Sequence, residues 1–191
     1  EFDELKIPGF RDNPPDRCYI CKRELFKRFV DIAREQGMDY IVDGSNIDDI
    51  GDYRPGMKAL AELGIKSPLK EAGLTKQDVR NISRDLNLPS WNKPSRACLS
   101  SRFPYGETIT REKLVRVAKA EELLDKLGFS QYRVRSHGEM ARIEVLEEDM
   151  SKLFDKEIRN NVIENFKDLG FIYVAMDLEG FRSGSMNELL K

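Results

Sequence analysis

Between Trp91 and Thr108 the chain carries Pro94, Pro104 and Gly106 and shows no apolar periodicity, so no regular element can run through this stretch. The periodic patterns on either side must therefore fold as separate groups of elements, over 1–93 and 94–191. In the first group, Leu25, Phe26, Phe29, Val30 and Ala33 recur at helical spacing from Lys22 to Gln36, and Gly37 supplies a stop. Tyr40–Asp43 is a short β-prone run that ends at Gly44-Ser-Asn. Arg54-Pro-Gly56 turns into a short helix through Ala59, Leu60 and Leu63, and Thr75 caps a further helix that Pro89 ends. Helix followed by strand predicts a slice of a parallel α/β sheet.

In the second group, Thr110 caps a helix through Leu114, Val117, Leu124 and Leu127, closed by Gly128. Two strands follow around Ser136-His-Gly-Glu139. Tyr132 and Val134 alternate with Arg133 and Arg135, and Ala141, Ile143 and Val145 alternate with Arg142 and Glu144, so each strand has one apolar and one charged face. A helix with Leu153, Phe154, Ile158, Val162 and Phe166 and a strand over 171–176 complete an α-β-β-α-β pattern.

The 191 residues, 40% of them hydrophobic, suffice for a core in one or two domains. Net charge is -2, from 34 acidic against 32 basic residues, so no global field draws the chain to nucleic acid or anionic lipid, and anion recognition has to be local. No apolar run is long enough to span a bilayer, and three cysteines fit a reducing cytoplasm. The chain starts on Glu1-Phe-Asp after which the first regular element is late, as expected of a piece of a longer protein.

Three groups of residues carry chemistry. Cys18 and Cys21 sit as CxxC at the mouth of a helix, where the dipole favours thiolate, and Cys98 lies in the interrupted stretch. Three thiols suit a metal or sulfur site better than a disulfide, which would leave one unpaired. An iron–sulfur cluster with one open iron, a closed zinc site completed by His137, the only histidine, and an accidental CxxC are all compatible with that count. Asp43, Ser45, Asn46, Asp48 and Asp49 follow the carboxyl end of the expected strand, the usual ligand position in α/β sheets, and suit magnesium or nucleotide hydroxyls; ordinary turn chemistry accounts for the same residues. Arg133 and Arg135, joined by Arg142 and Glu144, form an anion clamp or the solvated face of an antiparallel sheet. Ser101-Arg102 beside Cys98 places an anion site next to a thiol.

Taken together, Asn13-Pro-Pro-Asp-Arg17-Cys-Tyr-Ile-Cys21-Lys22, Asp43-Gly-Ser-Asn-Ile-Asp-Asp49, Asp52-Tyr-Arg-Pro-Gly56, Ser67-Pro-Leu69, Ala97-Cys-Leu-Ser-Ser-Arg102-Phe-Pro-Tyr-Gly106, Arg133-Val-Arg135, Ala141-Arg-Ile-Glu144 and Gly180-Phe-Arg-Ser183 resemble the LarE family in order and over nearly the whole chain. Those proteins are ATP-dependent sulfur transferases of the PP-loop pyrophosphatase superfamily that help build a nickel-pincer nucleotide. The resemblance implies a Rossmann-like PP-loop ATPase domain over 1–93 and a substrate and sulfur-transfer domain over 94–191. It implies ATP with magnesium on the side of Asp43, Gly44, Asn46, Asp48, Asp49 and Arg54. On the other side, Ser101, Arg102, Glu121, Arg133, Arg135 and Glu144 would line the site of a pyridinium dicarboxylate mononucleotide. Cys18, Cys21 and Cys98 match members thought to hold a four-iron four-sulfur cluster carrying a transferable sulfide, with Cys98 at the reaction centre. A homo-oligomer in the cytoplasm is implied as well.

The Ser-Gly-Gly-x-Asp-Ser phosphate loop of that superfamily is absent from the 191 residues, so these residues alone are expected to adenylate nothing. The rival reading is another PP-loop adenylating enzyme, a tRNA thiolase or an amide ligase, against which the near-zero net charge argues where the substrate is a large RNA. A zinc-stabilised interaction module is the third.

Overall fold

The computed structural model describes residues 2–51, 53–93 and 97–190; Asp52 and the segment 94–96, which belong to two of the motifs above, lie outside the described residues. The chain divides into two compact units, one of Glu1–Phe10 and Pro14–Lys93 and the other of Arg11–Asn13 and Pro94–Lys191.

In the first unit, helix α1 runs over Arg17–Glu35, starting earlier than the apolar spacing predicts. The proline pair 14–15 sets the entry, with the Arg17 N–H donating to the Pro14 carbonyl at 2.9 Å. Cys18 and Cys21 are therefore inside the first two turns of α1 and not ahead of it. Helices α2 (Pro55–Glu62), α3 (Pro68–Glu71) and α4 (Lys76–Asp85) follow, and the first two begin on proline, whose fixed φ and missing N–H suit a first helical position. Ala33, Ala59, Leu60 and Ile65 form a small core with Ile7 and Phe10.

The expected strand over Tyr40–Asp43 is reduced to one parallel bridge between Val42 and Lys66, made by the Asp43 N–H to the Lys66 carbonyl at 2.9 Å and the Lys66 N–H to the Ile41 carbonyl at 3.1 Å. A ladder needs partners along its length, and among the described residues this run meets only Lys66. Tyr40 and Val42 stay 67% and 59% exposed, so the run lacks the burial that would fix it as a core strand. Helix α4 has the predicted Thr75 cap: the Asp78 N–H donates to Thr75 Oγ1 at 3.1 Å, while the Thr75 N–H donates to Asp78 at 2.9 Å. It ends before Pro89 because Asn87 adopts φ +55°, a left-handed stop.

The second unit follows the expected order. Helix α5 (Arg111–Lys126) is capped by Thr110 and leads to strands β1 (Tyr132–His137) and β2 (Met140–Val145). Helices α6 (Glu147–Met150) and α7 (Lys156–Asp168) precede β3 (Tyr173–Met176). The sheet order is β1-β2-β3, with β1 and β2 antiparallel and β2 and β3 parallel. Gly138, at φ +60°, opens the two-residue hairpin turn.

Register places Val134 opposite Ile143 and Arg135 opposite Arg142, so the apolar and charged residues segregate to opposite faces. Val134, Ala141, Ile143 and Val145 are buried with Val117, Ala120 and Leu124 of α5 and Val162 and Phe166 of α7. The other face lies under the 3₁₀ turn Leu99–Arg102 and the segment after β3. Asn13, wholly buried at φ +52°, joins this unit by donating from Nδ2 to the carbonyls of Pro104 at 2.6 Å and Phe103 at 3.2 Å.

Among the described residues no helix is long and apolar enough to cross a membrane.

Candidate functional site

The alternation along β1 and β2 puts Arg133, Arg135, Arg142 and Glu144 on one face, and the solvated-sheet reading of that face is corrected by its burial. Arg133 and Arg135 are each 7% exposed and Glu144 is wholly buried. Charges can be enclosed only where partners replace water. Glu144 receives both sides of the Arg135 guanidinium, Nε at 2.9 Å and Nη2 at 2.8 Å, together with Arg142 Nη2 at 3.0 Å. Arg135 Nη1 also donates to the Ser101 carbonyl at 2.7 Å, and its Nη2 to Ser185 Oγ at 2.7 Å.

Arg102 forms the second pair. Its Nε and Nη2 donate to the two oxygens of Glu121 on α5, at 2.6 and 3.0 Å, and its Nη1 to Ser101 Oγ at 2.7 Å. Glu121 also accepts the Val134 N–H at 3.0 Å, which ties α5 to the edge of β1. Ser101 Oγ donates to the Cys98 carbonyl at 2.7 Å, so the turn carrying the exposed thiol of Cys98 is fastened to both buried pairs. Ser101, Arg102, Glu121, Arg135 and Glu144 thus form one hydrogen-bonded network in one unit, with Cys98 on the turn it fastens and Arg133 beside it, donating to the Tyr132 carbonyl at 2.6 Å.

Arg133 stands apart in electrostatics. Burial, and after it the neighbouring charge of Arg102, pushes its guanidinium down to about 10, against the opposing pull of Glu121. A cation held at that cost is one that an anion would stabilise. Arg102, Glu121 and Arg133 bound a pocket of about 290 Å³, whose wall is completed by Ala97, Leu99, Ala118, Asp125 and Tyr132. Its volume is that of a small aromatic ring with its substituents and lies at the low end for ligand sites.

His137 continues the same face. Its Nε2 is buried without a hydrogen-bond partner, and burial, then Arg142, pushes the imidazole below its usual range. A metal cation against that arginine would be disfavoured, which argues against the zinc set completed by His137.

The first unit holds the other predicted residues. Ser67 Oγ donates to Asp43 at 2.6 Å and Ser45 Oγ bonds the other oxygen; burial raises the Asp43 carboxyl, but these hydrogen bonds outweigh it and hold the group below its ordinary range. Asp48 accepts the Lys76 N–H at 2.8 Å and so caps α4. Asp49 closes a capping box with Asn46 and pairs with Arg54 at 2.7 Å. Turn and cap chemistry therefore engages Asp48 and Asp49, while the exposed backbone at Gly44 is open, with nothing within 4 Å of a Cβ built there.

None of the three cysteines forms a disulfide; Cys18 and Cys21, three apart, share one face of α1 in the first unit, and Cys98 belongs to the second. Within either unit, among the described residues, no three His, Cys, Asp or Glu side chains gather as a metal site. Ser185 and Phe181 enter the charged face with no periodic signal in the sequence to mark them, because Phe181 lies in an irregular stretch and Ser185 opens a short 3₁₀ turn.

No family model matches the chain. It is 42% identical over 190 residues, 99% of this chain and 68% of the relative, to the pyridinium-3,5-bisthiocarboxylic acid mononucleotide synthase of Lactiplantibacillus plantarum. The chain belongs to the LarE family. Other relatives are uncharacterized proteins: one of Synechocystis is 46% identical over 190 residues, covering all of this chain and 71% of its own, and one of Methanocaldococcus jannaschii is 35% identical over 179 residues, covering 94% and 69%. LarE membership gives the charged face of β1 and β2 and the turn at Cys98 a common frame.

Proposed function

We propose that the chain is the substrate-binding and sulfur-delivering portion of an enzyme that converts a carboxylate of pyridinium dicarboxylate mononucleotide into a thiocarboxylate, a step in making a nickel-pincer nucleotide. The observation that carries this reading is a ring-sized pocket lined by Arg102 and Arg133, beside the turn that carries the exposed Cys98. The name of the L. plantarum relative supports it, since that protein makes a bisthiocarboxylic acid of a pyridinium mononucleotide.

A carboxylate resists nucleophiles because its charge is spread over two oxygens. Attack of a carboxylate oxygen on the α-phosphorus of ATP gives an acyl adenylate and releases pyrophosphate, and sulfide then attacks the acyl carbon and expels AMP, leaving the thiocarboxylate. Arg133 and Arg135 are suited to the phosphate and free carboxylate of the substrate, because guanidinium groups pair with such oxyanions in two-point fashion. Glu121 orients Arg102 and Glu144 orients Arg135, and the two carboxylates offset part of the arginine charge on this face. On the nucleotide side, the open backbone at Gly44 and the Asp43–Ser45–Ser67 cluster are available to ATP hydroxyls, with Asn46, Asp48, Asp49 and Arg54 shaping the loop and magnesium accompanying the phosphates.

The donor chemistry of Cys18, Cys21 and Cys98, three thiols outside any disulfide, fits a four-iron four-sulfur cluster. Such a cluster, held by three thiolates, would supply a transferable sulfide on its fourth iron.

Two arms separate activation from delivery. With ATP and magnesium, these 191 residues are expected to release no AMP, since they lack the phosphate loop. Given a synthetic acyl adenylate after anaerobic loading with iron and sulfide, they are expected to yield thiocarboxylate, seen by mass spectrometry as sulfur replacing oxygen, and Cys98→Ala should abolish it. Failure to sulfurate the supplied adenylate would sink the proposal.

A further inference from the structure

A phosphate or carboxylate has to reach Arg133 and Arg135, yet both are almost enclosed. Beside the turn Leu99–Arg102, which reaches Arg135 through the Ser101 carbonyl, one stretch of chain after β3 touches both arginines. The Phe181 ring lies 5.0 Å from the Arg133 guanidinium, and Ser185 Oγ accepts from Arg135 at 2.7 Å while contacting Glu144 at 3.2 Å. The base of this stretch is fixed: the Phe181 N–H donates to the Val145 carbonyl at 2.8 Å, and a Cβ on Gly180, at φ +69°, would meet that same carbonyl oxygen at 2.8 Å. Further on, Gly184 at φ +79° has nothing within 4 Å of a Cβ position, and Ser185 is the one buried residue of 181–187. Beyond its base the stretch is tied by side chains, Ser185 to Arg135 and Glu144 and Asn187 by accepting from the Tyr105 hydroxyl at 3.0 Å, so it can lift by giving up these bonds with no strand ladder to break.

We propose that residues 181–187 form a strap that gates the arginine pair, in which the Ser185 hydroxyl holds the place of a ligand oxygen on Arg135 until the anionic group of the substrate displaces it. The proposal rests on the reading of Arg133 and Arg135 as the substrate anion site and adds how that site opens. Arg135 keeps Glu144 in both states, and what is given up is the Ser185 bonding to Arg135 and Glu144, the Phe181 contact and the Tyr105–Asn187 hydrogen bond. The strap lowers apparent affinity by the fraction of time it is closed. It also rejects anions that bind too weakly to displace it, which favours a ligand with both a phosphate and a ring carboxylate over free phosphate.

The test uses nicotinate mononucleotide as probe, with calorimetry for affinity and hydrogen exchange for the strap. Saturating probe is expected to speed exchange at the amides of 185–187 in the unaltered chain, and Ser185→Ala is expected to tighten binding by roughly threefold to tenfold, the closed-state penalty being relieved. Exchange read on the unaltered chain decides the matter even where Ser185→Ala folds poorly. Binding that Arg135→Lys weakens, with exchange unchanged at 185–187 and no tightening by Ser185→Ala, overturns the strap and leaves the substrate reading standing. Absence of probe binding, or binding indifferent to Arg135→Lys, overturns the substrate reading and the strap with it.

Discussion

Glu144 shows how much one buried carboxylate decides. It pairs with both Arg135 and Arg142 and is wholly enclosed, so Glu144→Ala takes the carboxylate from Arg135 and leaves Arg142 with Asp177, at 3.6 Å. Losing one partner of a buried pair costs about 3–5 kcal/mol, and a fall of that size in unfolding free energy is expected from urea denaturation of the variant. A drop below about 1 kcal/mol would mean that solvent already reaches the site. His137 gives a pH signature of definite sign. Its folded-state pKa is depressed, so the unfolded chain takes up a proton at higher pH than the folded one. Stability is full above the unfolded value near 6.5 and falls as pH drops toward the folded value. Denaturation at pH 7.5 and 5.5 should therefore show a loss at the lower pH that His137→Gln reduces; an equal loss in both chains would refute this origin. The sequence names these residues as charged and strand-borne, but a strand of alternating Arg reads alike whether water or protein covers it.

Among the elements, helix ends were legible and the first strand was not. Caps depend on residues two or three apart, which is why Thr75-x-x-Asp78, Thr110 and Gly128 act as read. Thr75→Ala should cost about 0.5–2 kcal/mol, checked by thermal unfolding, because it frees the Asp78 N–H and removes the hydroxyl bond to the Asp78 carboxylate, which keeps only the backbone N–H of residue 75. Asp48 belongs to the same element economy: it looks like a ligand in sequence, yet it caps α4 from 28 residues away. Such a role has no local signature. The run Tyr40–Asp43 has strand composition, but a strand is defined by its neighbours, and here the described neighbour is Lys66 alone.

For the whole molecule, near-balanced charge and a buried rather than exposed arginine face both speak for a small ligand over a polyanion. Filter binding to bulk tRNA at 50 and 200 mM salt should show no specific retention; affinity that falls steeply between the two would instead favour a tRNA-thiolating relative. Within the second unit the sequence by itself determined the α-β-β-α-β order, the helix ends and the two faces of the hairpin, because each of these follows from residues close along the chain. Its motifs also carried the family. Tertiary structure alone decided that the charged face is enclosed, that Glu121 and Glu144 partner particular arginines 19 and 9 residues away, and that Ser185 lies on Arg135, 50 residues off. Burial and partnership belong to segments brought together in space, and no local pattern encodes which segment will arrive.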